Sequence, residues 1–193
     1  MLRSAQGRAR LGRIVALVVV IGGAVSLFAV SRQPAPVLSY TGEARVAMPP
    51  HGVWEKLRDL SVAHHYVPGV VSTEVMGERR EGVDTRRRVY SSDTDYLVET
   101  VTRWQPGRGF TLQVQTQDGG APAPFSDTAF EYMLSADGEG STRIVTKLNV
   151  RMRGGAVGGW LGETLISGAM NKRCQEVADG LARYLAEFSV QEE

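Results

Sequence analysis

The clearest order in this chain is alternation. Phe110, Leu112 and Val114 alternate with Thr111, Gln113 and Gln115, and Ile144, Leu148, Val150 and Met152 alternate with Arg143, Lys147, Asn149 and Arg151. A period of two sends successive side chains to opposite faces, so each segment predicts a strand with one face buried and one wet. Further short runs bounded by Gly, Pro and Asp give strands over residues 39–48, 70–78, 85–91, 96–105, 110–117, 127–135 and 142–152. Six of these follow one another with only turns between them, which is the pattern of an antiparallel meander.

The period changes to that of a helix in two places. Val53, Trp54, Leu57 and Leu60 mark one face of a helix over 50–60, whose first turn tolerates Pro50 because that turn has no use for the missing N–H. A shorter helix over 61–66 stops before Pro68. Near the C-terminus, Leu161, Leu165, Met170, Cys174, Val177, Leu181, Leu185 and Phe188 recur at helical intervals. They predict a helix over 160–187, about 42 Å long at 1.5 Å per residue. The pairs Gly154-Gly155 and Gly158-Gly159 read as a flexible lead-in. A sheet with one bare apolar face needs a cover, and this helix is long enough to supply it. The order strand, two helices, six strands, long helix is that of an α+β sandwich.

The first 32 residues follow a different rule. Ile14 to Val30 is uncharged, four arginines precede it and Arg32 follows. This predicts a transmembrane anchor over 14–31 after a basic cytoplasmic segment, 1–13, with the remaining chain on the extracytoplasmic side. The alternative is a signal peptide cleaved near Ala29-Val30-Ser31, leaving a secreted or periplasmic protein. A proline-containing linker, 32–37, leads to one domain over 38–189. Gly22-Gly23 makes no GxxxG motif, so oligomeric state is left open.

Charge and motifs narrow the chemistry. Without the five arginines of the first 32 residues, 17 of the 22 basic side chains remain against 21 acidic ones. A mildly acidic domain is a poor partner for nucleic acid. Arg86, Arg87 and Arg88 read as solvated, ion-pairing residues. Cys174 is the single cysteine, which excludes an internal disulfide and a cysteine-rich zinc site. His64 and His65 are adjacent and diverge around a helix, His51 is remote, and no HExxH pattern occurs, so no metal or cofactor is expected. There is no phosphate-binding glycine loop and no GxSxG elbow.

The order of elements, with V-W-E-K-L-R-D at Val53 to Asp59, L-V-E-T-V at Leu97 to Val101 and S-T-R-I at Ser141 to Ile144, resembles the SRPBCC superfamily. This START-like, helix-grip group includes polyketide cyclase/dehydrase-like proteins. The resemblance implies a curved, seven-stranded antiparallel sheet gripping the C-terminal helix, with an apolar cavity between them and the two short helices closing one end. Trp54 is then expected to plug that corner as core packing. The expected lining is Phe110, Leu112, Val114, Tyr132, Leu134, Ile144, Leu148 and Met152 from strands, with Leu161, Leu165, Met170 and Cys174 from the helix. Glu99 occupies a position where the resemblance implies a cavity carboxylate. Alternation alone puts Leu97, Glu99, Val101 and Arg103 on one face without saying which, and a one-residue slip exchanges the faces. Inward, Glu99 is a general-base candidate or an anchor for a polar head, its pKa raised by desolvation; outward, it is a solvated cross-strand partner.

Three functions compete. The first is a membrane-tethered domain holding a lipid or other hydrophobic small molecule. The second is a cyclase/aromatase-like enzyme using Glu99, Tyr132 or Arg87 for proton transfer. The third is a closed-core domain that binds a protein.

Overall fold

The structure, a computed structural model, describes residues 35–189. Seven strands and three helices follow in the order β1 (Val37–Val46), α1 (Pro50–Leu57), a 3-10 turn (Leu60–Val62), α2 (Ala63–Tyr66), β2 (Ser72–Met76), β3 (Arg86–Tyr90), β4 (Tyr96–Gln105), β5 (Gly109–Gln115), β6 (Phe125–Ala136), β7 (Thr142–Met152) and α3 (Gly155–Ser189). The strands form a single antiparallel sheet, β1-β7-β6-β5-β4-β3-β2. The meander of β2 to β7 is therefore completed by β1 lying beside β7, and α3 covers the apolar face. The expected anchor, 14–31, lies outside the described residues. Among the described residues no helix is long and apolar enough to cross a membrane.

Two expectations need correction. The helix expected over 50–60 ends at Leu57. Asp59 takes an extended conformation, and its carboxylate accepts from the Ser61 backbone N–H at 2.9 Å, capping the 3-10 turn instead. The glycines expected to form a flexible lead-in are helical from Gly155 onward. Glycine costs a helix about 1 kcal/mol per position, and packing outweighs that cost here: Gly159 is buried against Ala35 and Pro36. The helix is thus 35 residues long rather than the 28 or so the stripe implied.

α3 is fastened to β1 and β7 at one crossing. A Cβ on Gly42 of β1 would lie 2.3 Å from the Cys174 carbonyl carbon, so only glycine lets the helix backbone approach this strand. Thr146 Oγ1 donates to the Cys174 carbonyl at 2.8 Å. On either side, the helix dresses the open edge of β1: the Thr41 N–H donates to Asn171 Oδ1, the Glu43 N–H to Gln175 Oε1, and Gln175 Nε2 donates to the Glu43 carbonyl. Asn171 and Gln175 are one helical turn apart, which matches two successive outward N–H groups of a strand. An edge that could otherwise pair with another chain is occupied.

The core has two parts. The larger joins Val53, Trp54, Leu57 and Leu60 to Val101, Phe110, Leu112, Tyr132 and Ile144 of the sheet and to Val177, Leu181 and Leu185 of α3. The smaller joins Leu38, Tyr40, Leu148, Val150 and Met152 to Cys174, with Met170 packed against it. Trp54 is 6% exposed and meets Trp104 edge to face at 4.9 Å, so it closes the corner as packing.

Candidate functional site

Strand parity decides which side chains face α3. On β3 these are Arg87 and Val89, both buried, while Arg86 is exposed and Arg88 pairs with Glu74 at 3.1 Å. On β4 they are Leu97, Glu99 and Val101; a bulge between Val101 and Arg103 then shifts the register. The extra residue turns Trp104 inward, where it stacks on Phe110 at 5.5 Å, and leaves Arg103 outside beside Glu131 at 3.7 Å. Simple alternation, which put Arg103 on the face of Glu99, fails at that bulge. On β6 the inward set is Thr128, Phe130, Tyr132 and Leu134.

Between these strands and α3 lies a cavity of about 270 Å³. Its walls are Val89, Leu97, Glu99, Val114, Thr128, Phe130, Tyr132 and Leu148 from the sheet and Val177 from the helix. Its rim is Val67, Gly69 and Val70 after α2, Ser91, Pro122, Phe125 and Arg173. Arg173 ties two sides of this rim together, donating from Nη2 to the Pro68 carbonyl at 2.6 Å. The surroundings are mostly apolar, and apart from Arg173 at the rim their charge is confined to one place.

There Arg87 and Glu99 stand directly opposite each other on β3 and β4. Arg87 Nε donates to Glu99 Oε2 at 2.7 Å, and Nη1 donates to the Leu60 carbonyl at 3.0 Å. The Arg87 side chain is 1% exposed and that of Glu99 14%. The arginine expected to be solvated is thus a deeply buried charge, and it links the sheet to the start of the 3-10 turn at Leu60. Burial works against the charged guanidinium, but Glu99, Tyr66 and Tyr132 outweigh it and hold the pKa above the ordinary arginine value. Burial, with Tyr66 adding to it, pushes the Tyr132 phenol well above 10, against the pull of Arg87. Tyr132 is therefore a neutral hydrogen-bonding group at any physiological pH. Thr128 is 5% exposed, and its hydroxyl has no hydrogen-bond partner among the described residues.

The residues expected to line the cavity divide into three sets. Glu99, Val114, Tyr132 and Leu148 do border it. Phe110, Leu112, Leu134 and Ile144 are buried in the larger core beside it, Met152 and Cys174 in the smaller one, and Met170 packs, partly buried, against the smaller one. Leu165 is 77% exposed. The buried line of α3 runs through Gly162, Cys174, Val177, Leu181 and Leu185, with Ile166 and Met170 partly buried, and Leu165 falls beside that line. The side chain of Leu161 lies outside what the structure describes. Sequence reasoning missed Thr128, Val177 and Arg173 as lining and misplaced Arg87. The signal for Arg87 was present: it shares strand parity with Val89.

Burial also raises the Cys174 thiol to about 11, leaving it protonated and inert. His65 is exposed and stacks on Tyr184 at 5.3 Å. Among the described residues no three His, Cys, Asp or Glu side chains gather as a metal site would need.

A seven-stranded antiparallel sheet closed over a long C-terminal helix, with an apolar cavity between, defines a helix-grip protein of the SRPBCC superfamily. The chain belongs to the family described as polyketide cyclase/dehydrase and lipid transport, which matches residues 38–186. Solved structures share the fold. The Zhui aromatase/cyclase from a Streptomyces species superposes with a TM-score of 0.60 at 15% identity, covering 80% of this chain and 96% of that one. A Thermus thermophilus protein superposes at 0.58 and 21% identity, covering 79% and 99%. Ara h 8.0201 superposes at 0.56 and 14% identity, also covering 79% and 99%. No curated protein matches the chain.

Proposed function

We propose that this protein holds a hydrophobic small molecule or lipid in the cavity between sheet and α3, and does so at a membrane surface. The observation that carries the reading is an unfilled apolar space of about 270 Å³, whose one fixed ion pair is already neutralised. An apolar space with a few placed polar groups is the usual form of a ligand site, and open volume favours it over a closed-core interaction domain. The family description includes lipid transport, in keeping with it.

The membrane part of the proposal rests on the uncharged run Ile14 to Val30 and its flanking arginines. It places the domain on the extracytoplasmic side, behind a short linker. A full chain that stays in the membrane pellet after carbonate washing supports the anchor. A product beginning near Arg32 points instead to a cleaved signal and a periplasmic or secreted protein.

The cavity reading is tested by native mass spectrometry of the protein freshly isolated from cells. A discrete added mass, removed by organic extraction, is the expected result. The cyclase/aromatase-like reading keeps one specific observation in its favour: a carboxylate, Glu99, and a neutral phenol, Tyr132, border the same apolar space. A bare protein mass, with turnover of a reactive polyketone that is lost in Glu99→Gln, would move the assignment to that enzyme.

A further inference from the structure

We infer that the ligand of this cavity is a medium-sized amphiphile whose inward end is a neutral hydrogen-bond donor, an alcohol and not a carboxylic acid, and that Glu99 and Thr128 select it. The inference rests on the cavity reading and adds the chemistry of the ligand's head.

The argument starts from hydrogen-bond capacity. Of the two Glu99 oxygens, Oε2 receives Arg87; Oε1 receives no hydrogen bond among the described residues. An ionised carboxylate only accepts, so a free oxygen bordering an apolar space calls for a donor. Thr128, across the cavity on β6, has a buried hydroxyl without a partner. A ligand hydroxyl can donate to Glu99 and also accept from Thr128, which a carboxylate or an ether cannot do. Leaving such groups unmatched costs more than matching them gains, which is how a polar end discriminates between similar guests.

A carboxylate meets the opposite situation. The buried cation Arg87 does not border the cavity, and its charge is already paired with Glu99. A second carboxylate would sit beside Glu99 in a poorly solvated space, where like charges strongly disfavour each other. The one cation bordering the cavity among the described residues is Arg173, at the rim. Size sets the other bound. A cavity of about 270 Å³ lies at the small end of ligand pockets and suits a single medium-length chain or a small ring system.

The test uses the full chain in phosphatidylcholine nanodiscs, titrated calorimetrically with decanol, decyl methyl ether and decanoate; empty nanodiscs correct for partitioning. The series is run on the wild type and on Arg173→Gln, which removes the rim cation so that the deep end alone decides. In Arg173→Gln, decanol is expected to bind about tenfold or more tightly than either the ether or decanoate, the size of one charge-assisted hydrogen bond. Glu99→Gln is expected to erase the disadvantage of decanoate, because Arg87 is then uncompensated. Thr128→Val, close in shape and independent of the ion pair, is expected to weaken decanol alone. Equal binding of all three ligands to Arg173→Gln, or a preference for decanoate, overturns the inference and leaves the cavity reading intact. Binding of none overturns both. If Glu99→Gln does not fold, the ranking in Arg173→Gln still decides.

Discussion

At the scale of single residues, the interior of this protein turns on Arg87. A charge of which 1% is exposed is tolerated because Glu99 faces it across two strands and the Leu60 carbonyl takes a second N–H. Removing one member of a buried pair strands the other, so Glu99→Ala and Arg87→Ala should each destabilise the fold by about 3–5 kcal/mol. With Arg87→Met and Glu99→Leu made singly and together, the double change should cost clearly less than the two single losses added, as that double-mutant cycle in urea unfolding would measure. Cys174 offers a pH test. Its thiol titrates near 9.0 when free and at about 11 in the fold. A folded-state pKa above the unfolded one means that the stabilisation is complete below pH 9 and is lost as pH rises through 11. The loss should amount to about 2–3 kcal/mol at most. Burial of Tyr132 carries the same trend to still higher pH. Unfolding midpoints followed upward from neutral pH should fall on the alkaline side, and less steeply in Cys174→Ala.

At the scale of elements, much was legible. The strand runs were placed to within a few residues by alternation and by Gly, Pro and Asp punctuation, because a period of two is a strong local signal. The long helix was placed by its apolar stripe. What alternation could not supply was the bulge of β4, since an extra residue leaves no mark in a sequence without its partner strand; hence Arg103 and Trp104 exchanged sides. Nor could it show that α1 stops early, a competition won by the short-range cap of Asp59. The crossing of β1 and α3 tests the packing of elements directly. Gly42→Ala would drive a methyl group into the Cys174 peptide and should destabilise by about 3 kcal/mol or separate helix from strand. Faster hydrogen exchange at Thr41 and Glu43, whose N–H groups α3 now holds, would report the separation.

At the scale of the whole molecule, the protein is a sheet and a helix that meet closely along one side of the helix and leave space along another. The meeting is at Gly42, Thr146 and Cys174, and the space opens toward the rim where Arg173 holds the 67–70 segment. If that contact holds the rim closed, Arg173→Ala should speed both uptake and release of a bound decanol while changing the unfolding free energy by no more than about 0.5 kcal/mol, the usual effect of a surface substitution. Stopped-flow exchange against a fluorescent competitor would read it. The sequence by itself determined the class of fold, the order of its elements and the apolar faces they share, because each of these is set by periodicities within one segment. Only the tertiary structure decided that Arg87 is buried, that Glu99 faces it with one oxygen free, that Leu165 lies off the packed line, and that an unfilled volume remains. Those outcomes depend on which strand lies opposite which, and on how closely a helix settles on a sheet, and no single segment contains that information.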